Sequence, residues 1–271
     1  MTRRYETVSF LSDYGHADEF VGVVHSVVRS IAPHVVVVDL VHDLPPFDVR
    51  AASLALSRAV QYVAPGIVLA VVDPGVGTDR RAIVAEVGEN GEGILIGPDN
   101  GLLGPAALLC GGVTRAFELA NPEYQLVAPG PTFAGRDIFA PAAAHLASGV
   151  PITELGPEVD PYALCPSLIP LPRADGDAIV AEVLWVDRYG NCQLNVDPDE
   201  VAALGDVVGL RIGNEPRRSA YRVDTFGQLS TGQIGLLVDS YGLVAIVVDR
   251  ASAADVLHLE AGTEVRLEAL G

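Results

Sequence analysis

Over residues 8–147, short runs of β-branched residues alternate with longer segments of helical period, and this alternation limits the fold more than any other feature. Residues 8–11 and 67–72 predict strands, while the apolar residues of 20–31 recur at three- and four-residue steps that predict a helix. Residues 35–40 are apolar apart from Asp39, and this apolar run is typical of a central strand. Strands and helices in this order indicate an α/β domain.

The rest of this region adds a second helix, a hairpin and a third helix. Asp48 is placed to cap a helix over residues 51–63. Residues 83–87 and 94–96 flank a glycine-rich turn and predict a hairpin, and residues 137–146 predict a helix. An antiparallel hairpin beside the other strands predicts a mixed sheet covered by helices.

A change of composition divides the chain. Residues 166–176 are rich in proline and without periodicity, which is typical of a linker. Beyond them, short β-type runs separated by turn residues predict a small antiparallel barrel or sandwich. We therefore predict an α/β domain over 1–165, a linker over 166–176 and a smaller, antiparallel, β-barrel-like domain over 177–271.

The charged residues exclude several kinds of function. The formal net charge of the 271 residues is −18, and all 17 basic residues are arginine, so lysine is absent. Without lysine the chain has no Schiff-base or pyridoxal-phosphate chemistry and no Walker-type phosphate loop. An acidic surface also repels nucleic acids and anionic lipids, so we expect neither as a partner and favour a neutral or cationic small molecule.

The cysteines and the apolar segments indicate the cellular compartment. Cys110, Cys165 and Cys192 are an odd, widely spaced set without a disulfide framework, which favours a reducing cytoplasm. No apolar stretch reaches the length that crosses a bilayer, and we find no export signal. The six histidines have no metal-ligand spacing, so we expect no metal site.

Carboxylates follow two predicted strands of the first domain. Asp13 comes after residues 8–11 and Asp73 after residues 67–72, and the carboxyl ends of strands in an open α/β sheet face the ligand crevice. Each Asp could instead cap the turn that follows it. In the second domain, the aromatic rings of the segments 187–191 and 239–242 could stack a purine, or these segments could be tight turns.

Taken together, these segments resemble the S-adenosyl-L-methionine (SAM) hydroxide adenosyltransferase family, the relatives of fluorinase and chlorinase. Seven motifs in family order carry the resemblance over nearly the whole chain. They are Ser12–Gly15 with Asp18, Leu44–Asp48, Val72–Gly77 with Arg80 and Arg81, Pro98–Leu103, Thr132–Asp137, Asp187–Asn191 and Ser240–Gly242.

The resemblance implies a reaction and an assembly. Water or hydroxide would attack C5′ of the ribose of SAM and release adenosine and methionine, with no metal or organic cofactor. The sulfonium leaves as a neutral thioether, so no general acid is needed. The resemblance also implies a homotrimer that binds substrate between the first domain of one subunit and the second domain of a neighbour.

The resemblance assigns roles by position. Asp73 and Arg80 would belong to the Asp, Arg, His set that activates water, and the place of its histidine is occupied by Ala134. The substrate contacts fall into three groups. They are Asp13 and Phe47 at the ribose; Asp18, Asp187 and Ser240 at the methionine end; and Tyr189, Phe226, Asn191, Tyr241 and Val248 around adenine.

Two positions depart from the family pattern. Ala134 stands where the hydrolytic members carry histidine, so the chain is either an engineered variant or a natural member that works without the imidazole. Ala245 stands where the family often carries glutamate near adenine. With Ala134 the protein could bind SAM without consuming it. Halide transfer is the other alternative, although Asp73 stands where the halogenating relatives carry tyrosine, and a carboxylate there would repel a halide.

Overall fold

A computed structural model describes residues 5–167 and 169–270 of the chain. The chain divides into two compact units, Met1–Leu168 and Ile169–Gly271. The division lies inside the predicted linker. None of the described helices is long and apolar enough to span a bilayer.

The first unit contains a seven-stranded sheet in the order β2-β1-β3-β5-β4-β6-β7. Its strands are β1 (Thr7–Ser12), β2 (Val36–Val41), β3 (Ile67–Val71), β4 (Ala82–Val87), β5 (Gly93–Pro98), β6 (Val113–Glu118) and β7 (Glu158–Val159). Its α-helices are α1 (Phe20–Ile31), α2 (Val49–Val60), α3 (Gly104–Leu109) and α4 (Ala140–Ala147). Short 3₁₀ segments cover Pro122–Tyr124, Ile152–Glu154 and Pro161–Ala163.

The sheet is mixed, as predicted. β1 pairs in parallel with β2 and β3, and β3 pairs in parallel with β5. β4 runs antiparallel to β5 and β6, which confirms the predicted hairpin. The Asp48 side chain accepts a 2.8 Å hydrogen bond from the Ala51 N–H and caps α2, also as predicted. Val28 of α1, Leu69 of β3 and Ala143 of α4 belong to one buried cluster.

Two predictions about this unit were wrong in detail. β2 is an edge strand, not a central one: it pairs with β1, and Val36 is 60% exposed. An apolar run describes the side chains of a strand but not the number of its neighbours, which depends on the chain crossovers. The predicted helix over 137–146 begins earlier, with a π-helical turn at Gly135–Phe139 that leads directly into α4.

The second unit is a closed barrel. The strand order is β10-β14-β13-β12-β11-β15-β9-β8, and a further β9–β10 pairing closes a ring of seven strands with β8 outside it. The strands are β8 (Arg173–Asp175), β9 (Ala178–Val186), β10 (Cys192–Leu194), β11 (Val207–Ile212), β12 (Arg218–Arg222), β13 (Ile234–Val238), β14 (Val244–Val248) and β15 (Glu264–Ala269). Helices α5 (Pro198–Ala202) and α6 (Ala253–Leu257) and a 3₁₀ turn at Phe226–Gln228 connect them.

The barrel confirms the predicted fold class with one exception. All its strand pairs are antiparallel apart from β12 and β13, which are parallel. β8 lies in the second half of the predicted linker and pairs with β9. Val183, Leu194 and Ile246 are fully buried in the interior.

Candidate active site

A cavity of about 230 Å³ lies in the first unit where β1 and β3 end. Its walls bring together four positions that the sequence analysis selected, Asp13, Phe47, Asp73 and Ala134. The complete lining is Asp13, Tyr14, Phe20, Pro46, Phe47, Asp73, Val76, Thr132, Ala134 and Gly135.

Asp73 and Arg80 form a buried ion pair beside this cavity. Arg80 donates from Nε to Asp73 Oδ1 over 3.0 Å and from Nη2 to Oδ2, and the two side chains are only 11% and 6% exposed. Burial raises the pKa of Asp73 above its usual value, although Arg80 and a Gly75 hydrogen bond oppose the shift. The Arg80 Nη1 atom is buried and has no hydrogen-bond partner among the described residues. The pair therefore holds a desolvated carboxylate in one orientation, which suits an acceptor for a proton from water.

Asp13 holds the backbone of Phe47. The Phe47 N–H donates a 2.8 Å hydrogen bond to Asp13 Oδ2. Phe47 has a φ of 67°, an unusual conformation for a bulky residue, and its side chain is exposed. A strained, exposed aromatic residue held by a carboxylate is typical of a ligand contact.

Tyr14 is a cavity residue that the sequence analysis did not select. Its ring packs against Phe20 and Phe133, with ring centroids 5.6 and 5.5 Å apart. Its hydroxyl lies where a Cβ at position 135 would stand, so only glycine fits there. Burial, with Asp13 and Asp73 nearby, raises the pKa of Tyr14, so the phenol stays protonated. In the sequence, the only indication that Tyr14 lies at the cavity is its position directly after Asp13.

Ala134 ends the loop that enters the π-helical turn. It is buried, and it is followed by Arg136 and Asp137, whose side chains pair over 2.6 Å. π-helical turns are uncommon and often occur at functional sites. The turn thus brings position 134 to the cavity wall, and the methyl group offers no proton acceptor.

A second pocket, of about 650 Å³, lies in the second unit. It brings together four of the five predicted adenine contacts, Tyr189, Asn191, Phe226 and Val248. The remaining lining residues are Asp249, Arg250, Ala251 and Ser252. Tyr189 is 78% and Phe226 46% exposed, so two aromatic faces are available to a planar ligand.

Asp187 closes a tight turn, as its alternative interpretation stated. Its Oδ1 accepts from the N–H groups of Tyr189 and Asn191 at 2.8 and 2.9 Å, and its Oδ2 accepts from Asn191 Nδ2 at 2.8 Å. Gly190 has a φ of 81°, which a glycine adopts without strain. The turn points Tyr189 outward, whereas the Asp187 carboxylate is largely engaged within the turn.

A second turn has the same geometry. Asp239 Oδ1 accepts from the N–H groups of Tyr241 and Leu243 at 2.8 and 3.1 Å, and Gln193 Nε2 donates to Asp239 Oδ2. Gln193 lies directly across from Ala245 on β14. The repeated order Asp-x-Tyr-Gly was visible in the sequence and was not recognised as one motif.

The remaining predicted contacts lie outside the two cavities. Asp18 is exposed on the loop before α1, and Ser240 and Tyr241 are exposed in the second turn. Over residues 5–167 and 169–270, no three His, Cys, Asp or Glu side chains come together as a metal site.

Comparison with known proteins places the chain in a family. Residues 8–156 match the SAM hydroxide adenosyltransferase N-terminal domain, and residues 181–266 match the C-terminal domain. An (R)-S-adenosyl-L-methionine hydrolase of Salinispora tropica is 44% identical over 267 residues, 97% of each chain. A fluorinase of an Actinoplanes species is 26% identical, over 95% of this chain and 96% of its own.

A solved structure agrees. An uncharacterised conserved protein of Thermotoga maritima superimposes with a TM-score of 0.87 at 34% identity, over 96% of this chain and 99% of its own. Both domains, the full-length identity and the shared fold lead to one conclusion: the chain belongs to the SAM hydroxide adenosyltransferase family.

Proposed function

We propose that this protein hydrolyses SAM to adenosine and L-methionine. The observation that carries the proposal is the buried Asp73–Arg80 pair beside a cavity that also contains Asp13 and Phe47. The name of the Salinispora relative specifies the (R) epimer at sulfur, and we extend that preference to this chain.

The reaction is a displacement at C5′ of the ribose. The water oxygen forms a bond to C5′ while the C5′–S bond breaks. The electron pair of the C5′–S bond goes to sulfur, which leaves as the neutral thioether of methionine. Asp73 accepts a proton from the attacking water and passes it to solvent, and Arg80 holds the carboxylate in place. Because the leaving group needs no proton, no general acid takes part, and this proposed route uses no cofactor.

The two cavities contain six of the proposed substrate contacts, and the family motifs place the others. Asp13 accepts from the ribose hydroxyls and Phe47 packs on the sugar. Tyr189 and Phe226 stack on adenine, Asn191 binds its edge, and Tyr241 and Val248 complete the wall. From the family motifs we place Asp18, Asp187 and Ser240, which lie outside these cavities, at the methionine end, where the two carboxylates favour the ammonium and sulfonium groups.

Assembly completes the site in this proposal. The first domain of one subunit and the second domain of a neighbour enclose the substrate in a homotrimer. The apolar, exposed edge strand β2 supports self-association, because an uncovered apolar edge favours pairing with another chain. The reducing cytoplasm is the proposed location, and the charge of −18 argues against nucleic acid or a membrane surface as a partner.

Ala134 favours a second candidate function. Without a base at this position the protein would bind SAM and release product slowly, and so act as a SAM-sequestering protein. Halide transfer is less favoured, because the buried carboxylate of Asp73 would repel a chloride or fluoride ion at the nucleophile position.

One incubation separates these functions. The protein is incubated with each sulfur epimer of SAM in chloride buffer, and adenosine, methionine and 5′-chloroadenosine are separated by chromatography while calorimetry measures binding. We expect adenosine and methionine in equal amounts. Binding with no methionine over hours supports sequestration, 5′-chloroadenosine as main product supports halide transfer, and neither binding nor turnover refutes all three functions.

A further inference from the structure

A chain of hydrogen-bonded side chains, buried at Ser12 and His42, begins next to Asp13 in the sequence, and the proposed mechanism does not use it. His42 Nδ1 lies 2.7 Å from Ser12 Oγ, and His42 Nε2 lies 2.9 Å from Asp39 Oδ1. His25 Nε2 lies 2.7 Å from the same Asp39 oxygen. Ser12 and His42 are buried, and the Asp39 side chain is 41% exposed.

The order Ser, His, Asp is also that of a hydrolase triad, but the geometry excludes a nucleophilic serine. Ser12 is completely buried, so no substrate reaches its hydroxyl. Its oxygen also accepts a 3.3 Å hydrogen bond from the Tyr14 N–H. A triad nucleophile must lie open to the scissile bond, and Ser12 does not.

The donor and the acceptor in each hydrogen bond of His42 follow from the charge of Asp39. The ionised Asp39 carboxylate only accepts, so neutral His42 carries its proton on Nε2 and donates it to Asp39. Nδ1 then has a lone pair, and the Ser12 hydroxyl donates to it. Burial lowers the pKa of His42 although Asp39 opposes this, which keeps the ring neutral. The charged and titratable groups around the ring are Asp39, His25 and His16, and His16 lies 4.0 Å from Asp43.

His42 connects two loops of the proposed site. We name residues 12–15 the Ser12 turn and residues 42–47 the His42 loop. Three hydrogen bonds join them: Ser12 to His42 Nδ1 at 2.7 Å, the Gly15 N–H to the His42 carbonyl at 2.8 Å, and the Phe47 N–H to Asp13 at 2.8 Å. His42 takes part in two of the three, and Asp13 and Phe47 form the third.

We propose that His42 is a positioning residue, which through Ser12 holds the Asp13 carboxylate and the Phe47 backbone where they meet the ribose of the substrate. The inference rests on the proposed function and adds a residue pair, His42 and Ser12, to its recognition of ribose. His42 is buried and is not part of the cavity lining, so its loss acts through Ser12 and Asp13. It therefore weakens the contribution of the ribose hydroxyls and leaves the binding of the adenine ring unchanged.

The test compares two ligands, adenosine and 2′,3′-dideoxyadenosine, which lacks the hydroxyls that Asp13 accepts from. Calorimetry on the full chain gives Kd for each. We expect the unaltered protein to prefer adenosine about tenfold or more, the usual value of hydrogen bonds to a charged acceptor. In His42→Leu we expect the ratio to fall below about threefold, because adenosine loses the hydrogen bonds to Asp13 while the dideoxy ligand, which never made them, weakens much less.

Two matched variants separate positioning from general loosening. His42→Asn keeps an acceptor near Nδ1 for the Ser12 hydroxyl and is expected to keep most of the preference. His145→Leu removes a half-buried histidine that packs on Tyr124, away from the cavity, and is expected to leave the ratio unchanged. Ser12→Ala removes the hydroxyl that donates to His42 with little change of volume, and we expect it to lose the same preference for adenosine. It therefore replaces His42→Leu in the test if that variant does not fold.

The outcomes are distinct. Equal weakening of both ligands in His42→Leu, an unchanged ratio in Ser12→Ala, or equal losses in His42→Leu and His42→Asn would overturn the positioning role alone. Failure of the unaltered protein to bind either adenosine or SAM would instead refute the proposed function, and the inference with it.

Discussion

The two cavities of this protein are built on opposite principles. In the first unit, Asp73 and Arg80 are buried and paired, and burial raises the pKa of the carboxyl. In the second unit, the carboxylate of Asp187 closes a turn and the exposed group is the ring of Tyr189. A desolvated charge can act on a reacting atom, whereas an aromatic face can only bind a planar group such as a purine ring. Changes at Asp73 and position 134 in the first cavity should therefore alter kcat, and changes at the aromatic rings of the second should alter KM.

The largest expected effect is a gain in the first cavity. Ala134→His should raise kcat for adenosine release by about 10²–10⁴-fold, the usual contribution of one positioned acid or base, with KM little changed. Ala134→Asn fills the same space without a base and is the control. Equal rates for the His and Asn variants would remove the role assigned to position 134.

Loss of the buried carboxylate comes next. Asp73→Asn keeps the shape but cannot take a proton, and kcat should fall about 10²-fold, measured by adenosine release. Asp79→Asn changes an exposed carboxylate on the same loop and should have no such effect. Similar losses in both variants would mean that loop charge, not the Asp73 position, supports the reaction.

The second cavity should respond in KM. Tyr189→Ala removes a stacking face and should raise KM for SAM about tenfold with little change in kcat, since base–aromatic stacking contributes about 1–3 kcal/mol. Tyr189→Phe should behave as the unaltered protein, and Tyr162→Ala, which removes an exposed ring of the first unit, is the control. A fall in kcat alone would contradict the division between the two cavities.

The smallest expected effect is a shift in pH dependence. Burial raises the pKa of Asp73, with a smaller contribution from Asp13, so the active carboxylate is lost on acidification at a higher pH than for an exposed aspartate. The rate should fall as pH decreases through this raised pKa. Asp13→Asn removes one cause, so the acid limb of kcat should move to lower pH, by less than about one unit. A shift of the acid limb to higher pH in Asp13→Asn would show that Asp13 does not raise the pKa of Asp73.

The predictions about strands illustrate what a sequence pattern resolves. The sequence predicts a strand over residues 67–72 and a central strand over residues 35–40. β3 is completely buried between two parallel neighbours, but β2 lies at the sheet edge with Val36 and Val38 exposed. The pattern records side-chain type and period, whereas the strand order depends on chain crossovers that leave no local trace.

The site divides in the same way. Asp13 and Asp73 were selected because residues at strand ends face a common edge, and the cavity contains both. Tyr14 was not predicted as a cavity residue. The hydrogen bond between His42 and Ser12 was not predicted either, because it joins residues 30 positions apart. The π-helical turn at 135 was missed as well, since helical periodicity does not separate i→i+4 from i→i+5 hydrogen bonding over five residues.

The sequence by itself determined the fold class, the mixed sheet, the barrel and the motifs of the family, because period, turn residues and local spacing are properties of neighbouring residues. The tertiary structure alone decided that Asp73 is desolvated, that Asp187 closes its turn, and that His42 joins two loops of the site. Burial and long-range hydrogen bonds depend on which distant segments meet, and that is settled only when the whole chain packs.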